Sequence, residues 1–384
     1  MRAKNIVILG STGSIGINTL KVIERYPDRF KVVGLTAYNN FKLLEKQLKR
    51  FHPSHVALSQ KGQDYFSGNG LARRVNIMDV ERDLEELVSL KEVDIVVVAM
   101  RGSAALKPFL KAVRCGKRVA PANKEALVVA GDILMKEAAR HGAQVIPIDS
   151  EQSAIFQCLQ GQNRNELKKV YLTASGGTLR DIPKARFDKF SVPDILRHPT
   201  WKMGAKITVD SAMLMNKGFE IIEALRLFDL SVDQVEVVLH PESIIHSMVA
   251  FKDGSVMAQL GLTDMRLPIQ YALTYPQRLE SGLRPLDFIE LKQLTFRKPD
   301  VKKFPSLALA IHVARKGGTL PAVLNAADEE AVEAFLERKL KFTQIYKVVE
   351  KIVLRHRPQA HPDLDAIMKA DQWAREEARK IIYK

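Results

Sequence analysis

Residues 216–220 read N-K-G-F-E, which puts an amide, an ammonium and a carboxylate at helical spacing. On a helix, positions three and four apart are neighbours, so Asn216, Lys217 and Glu220 are expected to face one ligand. Asp210 or Ser211 is expected to cap that helix, adding the anion-binding capacity of a donor-rich start. The run H-P-T-W-K-M-G at 198–204 precedes it as a candidate flap around Trp201. A solvated surface helix is the competing reading of these charges. A second cluster is Asp149-Ser150-Glu151. In an extended chain, positions i and i+2 share a face, so Asp149 and Glu151 would reach one cation with Ser150 beside them. Glu220 would complete an oxygen-rich set suited to Mg²⁺ or Mn²⁺, provided all three acids converge. An ordinary cap or solvated turn is the alternative.

Near the start, an apolar run at 6–9 leads into Gly10-Ser11-Thr12-Gly13-Ser14-Ile15-Gly16 and then a helix-like segment at 17–25. Strand, glycine-rich turn and helix start form a common cradle for a dinucleotide pyrophosphate. The spacing is G-x-x-G-x-x-G where G-x-G-x-x-G is standard, so a tight turn alone remains open. A second strand, 31–36, ends at Ala37-Tyr38-Asn39-Asn40 with Lys42 nearby. An NAD enzyme would carry an acid there for the ribose hydroxyls. Its absence from this tip favours NADPH over NADH.

These groups need a scaffold. Strand-like runs at 56–58, 95–99, 118–120 and 144–148 alternate with helical segments at 43–50 and 104–114, which predicts a doubly wound parallel sheet. The expected division is a Rossmann-like cofactor domain over 1–150, then a smaller α+β catalytic domain over 151–285. Strands are expected there at 169–174, 234–239, 244–251 and 255–260. A connector at 286–303 would lead to a C-terminal helical bundle at 304–384, with helices at 306–315, 325–337, 343–354 and 364–382. The chain has 384 residues, 46% of them hydrophobic, enough for several cores. Its net charge of +15 is dispersed, without a basic arm or an aromatic-rich motif, so phosphorylated small molecules are the expected partners and nucleic acid is not. Cys115 and Cys158 form no metal or disulfide pattern and are expected to be core or inert. The first residues run directly into a strand and no apolar run approaches a membrane span, so a cytoplasmic protein is expected.

Several motifs occur in order: G-S-T-G-S-I-G at 10–16, A-N-K-E at 122–125, D-S-E at 149–151, T-A-S-G-G at 173–177, H-P-x-W-x-M-G at 198–204, V-D-S-A at 209–212, M-N-K-G-x-E at 215–220 and S-I-I-H-S-M-V at 243–249. Together, over essentially the whole length, they resemble the 1-deoxy-D-xylulose 5-phosphate reductoisomerase family. The resemblance implies NADPH- and metal-dependent isomerisation and reduction of that ketose phosphate to 2-C-methyl-D-erythritol 4-phosphate, in the non-mevalonate route to isoprenoids, by a homodimer. It implies Mg²⁺ or Mn²⁺, with Co²⁺ as a further option, on Asp149, Glu151 and Glu220. Lys124 and Ser150 would hold the substrate's reacting end. Ser175, Ser211, Asn216 and Lys217 would grip its phosphate, and His198, Trp201 and His246 would close over it. Cofactor contacts would come from Gly10, Thr12, Gly13, Ser14, Ile15, Asn39, Asn40, Asn123, Glu125, Gly204 and Met265. Arg101, Ala105, Thr178, Leu179, Met213, Glu242 and Thr263 depart from the usual pattern, without removing a metal or phosphate ligand. Two other classes compete. A different Rossmann oxidoreductase would need no carboxylate triad, and a basic nucleic-acid binder would not oxidise NADPH.

Overall fold

The computed structural model describes residues 2–68, 74–100, 102–201 and 203–384. Its chain divides into two compact units. The first comprises Met1–Ala126, Leu134–Ser153 and Asp264–Leu283, and the second Leu127–Ile133, Ala154–Thr263 and Arg284–Lys384.

In the first unit, short apolar runs become strands because both of their faces are covered. Ile6, Val7, Ile8 and Leu9 are wholly buried, as parallel strands flanked by crossover helices require. The elements alternate as β1 (Lys4–Leu9), α1 (Ser14–Arg25), β2 (Phe30–Ala37), α2 (Phe41–Phe51), β3 (His55–Leu58), α3 (Gln60–Ser67), β4 (Asn76–Asp79), α4 (Leu84–Ser89), β5 (Ile95–Val98), α5 (Leu106–Arg114) and β6 (Arg118–Pro121). Helices α6 (Lys124–Arg140) and α7 (Ser150–Cys158) follow, with Leu127–Ile133 of α6 and the part of α7 from Ala154 counted in the second unit. The strand order is β4-β3-β2-β1-β5-β6. Ile6 of β1 is in register with Val32 of β2 on one side and Ile95 of β5 on the other, both parallel. The order reverses between β1 and β5, and at such a switch point the carboxyl ends of the strands leave a crevice for a ligand.

The second unit carries β7 (Leu167–Ala174), α8 (Val192–Ile195), α9 (Ala205–Ala212), α10 (Met215–Phe228), β8 (Val235–Leu239), β9 (Ile245–Phe251) and β10 (Val256–Leu260). Its sheet order is β10-β9-β7-β8, with β7 and β8 parallel and the remaining pairs antiparallel. Helix α11 (Arg266–Thr274) returns to the first unit, where it packs on α1. Then come α12 (Phe288–Leu291), α13 (Pro305–Lys316), α14 (Leu320–Leu336), α15 (Phe342–Arg355) and α16 (Leu364–Ile382). Helix α14 packs against α15, α16 and α9, and its wholly buried Ala322, Ala326, Ala327, Ala331 and Ala334 permit close approach. Among the described residues, no helix is long and apolar enough to cross a membrane.

Four local expectations change. The run 144–148 makes backbone bonds to Val119 and Pro121 but forms only a single bridge, Val119 with Val145, rather than a strand. Strand β4 was not anticipated, because N-I-M-D lacks a strand's apolar alternation and, among the described residues, pairs with β3 alone. Asp149-Ser150-Glu151 is not extended, since α7 begins at Ser150. Asp210 and Ser211 do not cap the helix bearing Lys217. They lie in α9, and Leu214, in left-handed conformation at φ 62°, starts α10. Of the two cysteines, Cys158 is buried and Cys115 is exposed.

Candidate functional site

The turn after β1 is rigid for reasons visible in its bonds. Gly10 has φ +87°, and a Cβ there would lie 2.8 Å from the Ala99 carbonyl oxygen, so a side chain is excluded. Its N–H donates to Thr36 Oγ1 at 2.8 Å. Buried Ser11 donates to Gln47 Oε1 at 2.8 Å, and Gln47 Nε2 donates back to the Ser11 carbonyl at 2.9 Å. Thr12, Gly13, Ser14 and Ile15 form the outer part of the turn. Gly13 caps α1 without a side-chain bond, which leaves the helix's first amides to an anion. At the tip of β2, Asn40 Oδ1 accepts the Leu43 N–H at 3.2 Å and so caps α2, with Asn39 before it. The tip has no acid of its own, but Tyr38 Oη lies 3.4 Å from Glu81 Oε1, a neighbour that only the fold reveals. Met265 begins α11, within the same unit as the turn.

Asn123 binds this framework together. Its Oδ1 accepts the Ala126 N–H at 2.9 Å, capping α6, while Nδ2 donates to the carbonyls of Met100 at 2.5 Å and Gly102 at 3.1 Å. Both amide hydrogens are therefore committed to the loop after β5. Glu125 lies in the first turn of α6. Lys124 is no surface residue: it is 6% exposed, and its ammonium lies 2.6 Å from Asp149 Oδ2. Asp149 Oδ1 also accepts the Ser150 N–H at 3.1 Å, and Ser150 Oγ donates to Glu151 Oε2 at 2.5 Å. Lys124, Asp149, Ser150 and Glu151 thus form one connected group in the first unit. Two carboxylates with one ammonium between α6 and α7 offer hard oxygen donors of the kind Mg²⁺ takes.

In the second unit, the Ser175-Gly176-Gly177 turn after β7 meets α9. Gly177 has φ +65°, and a Cβ there would lie 2.4 Å from the Ser211 carbonyl oxygen. His198 shows its tautomer through its partners. Nδ1 accepts the N–H groups of Thr200 at 3.2 Å and Trp201 at 2.9 Å, so the ring proton resides on Nε2, which donates to Ser175 Oγ at 3.1 Å. Burial, helped by the nearby Arg180 guanidinium, pushes the His198 pKa down to about 4 and keeps the ring neutral near pH 7. Ser175 Oγ also accepts the Gly177 N–H at 3.2 Å, which leaves its own hydroxyl hydrogen to offer an anion. The Trp201 ring lies 6.1 Å from buried His246. Gly204 caps α9, and Ser211 Oγ donates to the Ile207 carbonyl at 2.8 Å. On α10, buried Glu220 accepts from Asn216 Nδ2 at 2.5 Å and from the Lys217 ammonium, so the anticipated face exists but is buried. Arg180 was missed from the sequence. It donates to the Ser175 carbonyl at 2.7 Å and packs over Gly176, a role that no local pattern announces.

Three family models cover most of the chain: 1-deoxy-D-xylulose 5-phosphate reductoisomerase over residues 6–131, its C-terminal domain over 145–228, and the DXP reductoisomerase C-terminal domain over 260–377. A reductoisomerase of Pelotomaculum thermopropionicum is 49% identical, with 99% of this chain and 98% of that protein covered. One of Heliobacterium modesticaldum is also 49% identical, over 97% of this chain and 96% of its own. The chain belongs to the 1-deoxy-D-xylulose 5-phosphate reductoisomerase family. Among solved structures, a DOX-P reductoisomerase in complex with NADPH, fosmidomycin and magnesium is 40% identical, with a TM-score of 0.95 and 99% of this chain and 98% of that one covered. The Zymomonas mobilis enzyme in complex with NADPH is 39% identical, with a TM-score of 0.92 and 99% of each chain covered.

The positions expected to depart from the family's usual pattern mostly have local roles. Thr178 Oγ1 donates to the Ile195 carbonyl at 2.9 Å, tying the Ser175-Gly176-Gly177 turn to the segment before His198, and Leu179 is wholly buried. Met213 is buried at the break between α9 and α10, and Ala105 is buried in the turn before α5. Glu242 Oε1 accepts from Thr295 Oγ1 at 2.6 Å. Nothing in the structure explains Thr263, and Arg101 lies outside the described residues.

In the second unit, sequence reasoning also missed a trio in which Asp210 and Asp328 are buried and Lys206 is half-buried. Lys206 Nζ lies 2.7 Å from Asp210 Oδ2 and 2.9 Å from Asp328 Oδ2 of α14. Two carboxylates share one ammonium. Burial and the Asp328 charge push the Asp210 pKa up to about 8, and burial raises that of Asp328. The folded pKa therefore lies above the unfolded value near ~3.9, so the native state holds a proton that the unfolded chain releases. The resulting stability is complete below about pH 4 and is lost as pH rises through about 8. Thermal melting should show the wild type losing midpoint temperature over this range, while Asp328→Asn, which leaves one acid for one ammonium, loses much less. Parallel curves would show that the pair shares no proton.

Proposed function

We propose that this chain converts 1-deoxy-D-xylulose 5-phosphate to 2-C-methyl-D-erythritol 4-phosphate, using NADPH and a divalent metal ion, as an NADP-dependent oxidoreductase of isoprenoid biosynthesis. One observation carries this reading: 99% of the chain superposes, at a TM-score of 0.95, on a reductoisomerase whose structure holds NADPH, fosmidomycin and magnesium. The residues present fit those groups. Asp149, Glu151 and Glu220 would hold Mg²⁺ or Mn²⁺ through hard carboxylate oxygens, and the turn from Gly10 to Ile15, with Asn39, Asn40, Asn123, Glu125, Gly204 and Met265, would hold NADPH. When bound, the cation stabilises negative charge on the substrate's oxygens and NADPH supplies hydride. Lys124 keeps a fixed ammonium beside Asp149 to orient the reacting end, and Ser150 holds a substrate oxygen. Ser175 donates its remaining hydroxyl hydrogen to the phosphate, with Ser211, Asn216 and Lys217 completing the grip. Neutral His198 holds Ser175 and the Trp201 backbone together, so phosphate binding and flap position are mechanically linked. Trp201 and His246 would cover the carbon skeleton and exclude water. Residues 1–150, 151–285 and 304–384, joined by the connector 286–303, would supply the cofactor, catalytic and helical parts of a cytoplasmic homodimer.

The direct test mixes purified protein, deoxyxylulose phosphate, NADPH and Mg²⁺. NADPH absorbance should fall in step with the formation of methylerythritol phosphate, and chelation of the metal should stop both. NADPH consumption without that product, or turnover surviving exhaustive chelation, would instead indicate a different Rossmann oxidoreductase.

Cofactor choice gives a further expectation. A carboxylate at the acid-free β2 tip would repel a 2′-phosphate and bond free ribose hydroxyls, so Asn39→Asp should lower kcat/KM for NADPH far more than for NADH. Equal use of both cofactors by the wild type would refute the assignment of this tip.

A further inference from the structure

At the amino-terminal ends of β1, β2 and β6 lies a cavity of about 880 Å³, confined to the first unit. Parallel strands run one way, so this is the opposite end of the sheet from the glycine turn. Within β6 alone, Arg118 begins the strand, whereas Asn123 and Lys124 follow its other end. The cavity's charge is one-sided: Arg2, Lys4, Arg29 and Arg118 line it against a single acid, Asp28.

The partners of these cations are weak or neutral. Lys4, itself exposed, lies 3.6 Å from half-buried Asp94, a long pair of little energetic weight. Arg29 Nη1 donates to the Gln277 amide oxygen at 2.6 Å. Arg118 donates from Nε and Nη2 to Gln144 Oε1 at 3.1 and 2.9 Å, and from Nη1 to the Leu273 carbonyl at 3.3 Å. Its guanidinium lies 5.9 Å from the centre of the Tyr275 ring. Among the described residues it pairs with no carboxylate, and burial holds its pKa below the usual arginine value. A partly buried guanidinium paired only with neutral groups is costly, and an incoming anion would repay that cost. Beside the cations stands an uncharged wall that includes Leu273, Tyr275 and Pro276.

We infer that this cavity is a second ligand site, which binds a small organic diphosphate with its phosphates on Arg118, Arg29, Arg2 and Lys4 and its uncharged body against Leu273 and Tyr275. Four cations exceed what one phosphate group needs, and the volume exceeds what phosphate fills. Arginine forks suit phosphate oxygens. The apolar wall requires something beyond inorganic anion. The site owes nothing to the residues proposed for catalysis.

The test uses isothermal titration calorimetry on the full chain saturated with NADPH. Inorganic pyrophosphate and n-hexyl diphosphate serve as probes, with metal chelated and Lys217→Ala as background to silence the proposed substrate-phosphate grip. One hexyl diphosphate should bind per chain, more tightly than pyrophosphate, and more weakly as salt rises. Arg118→Gln added to that background should weaken it about tenfold or more, the scale of one charge-assisted bond. Arg29→Gln and Arg2→Gln, on the exposed rim, should each weaken it by a smaller factor, and they carry the test if the Arg118 variant does not fold. In an otherwise wild-type chain, the Arg29 change should leave turnover unaltered. Absence of binding at millimolar probe, binding lost with Lys217, or affinity indifferent to all three arginines would overturn the site. Equal affinity for the two probes would overturn the organic part of the ligand.

Discussion

Asp149→Asn, Glu151→Gln and Glu220→Gln are each expected to cut turnover by roughly a hundredfold to a thousandfold at saturating Mg²⁺, the loss typical of weakening one transition-state charge stabiliser. NADPH binding should persist, because the turn after β1 draws its rigidity from Thr36, Gln47 and Ala99 and from none of these acids. The three variants should differ in stability. Glu220 is 1% exposed and paired with Lys217, so its neutralisation removes one charge of a buried ion pair. Asp149, with 14% of its side chain exposed, and Glu151, half-buried, are closer to water. Thermal melting therefore has to accompany the kinetics. A Glu220→Gln protein that stays folded, binds NADPH and turns over normally would remove Glu220 from the proposed metal set. The same result for Asp149 or Glu151 would remove that residue.

Lys217→Ala is expected to raise KM for deoxyxylulose phosphate by roughly tenfold to a hundredfold, since a charge-assisted bond is worth about 1.5–3 kcal/mol. A fall in kcat should accompany it if phosphate binding helps to seat the Trp201 flap. Such a link would run through His198: Ser175, proposed to contact phosphate, is bonded to the same ring that accepts the Trp201 N–H. Binding energy from a non-reacting group would then be spent on positioning the reacting one. Deoxyxylulose without its phosphate isolates the effect. The wild type should use it very poorly, and the mutation should cost much less with it, because the group that Lys217 pairs with is already absent. A loss of equal size with both sugars would withdraw the phosphate assignment and leave Lys217 as a structural partner of Glu220.

Much of the fold was readable because the signals were local. Period-2 and period-3.6 apolar patterns placed β7 to β10 and the four long C-terminal helices within a few residues, apart from an early start to α14, and Gly10 marked the turn after β1. Motif order supplied the family. The misses have physical causes too. M-L-M at 213–215 is as apolar as a continuous helix, yet Leu214 turns left-handed, so α9 and α10 separate and Ser211 is placed against the Ser175 turn. The run at 144–148 has the composition of a strand, but it gains only one bridge partner. Asp149 and Glu151 were read as extended neighbours, whereas the helix start at Ser150 changes which atoms they present.

The amino-acid sequence by itself determined which chemical groups are available: three carboxylates, a lysine beside an asparagine, a glycine turn, and a histidine and tryptophan three residues apart. It also determined most elements that carry them, because helix and strand periodicity are properties of neighbouring residues. Tertiary structure decided the state of those groups. His198 is neutral with its proton on Nε2 because Thr200 and Trp201 occupy Nδ1 and burial disfavours charge. Asp210 shares Lys206 with Asp328, more than a hundred residues away, and Arg118 faces a cavity with no carboxylate partner among the described residues. Such states depend on desolvation and on contacts between segments distant in sequence, and spacing along the chain carries neither.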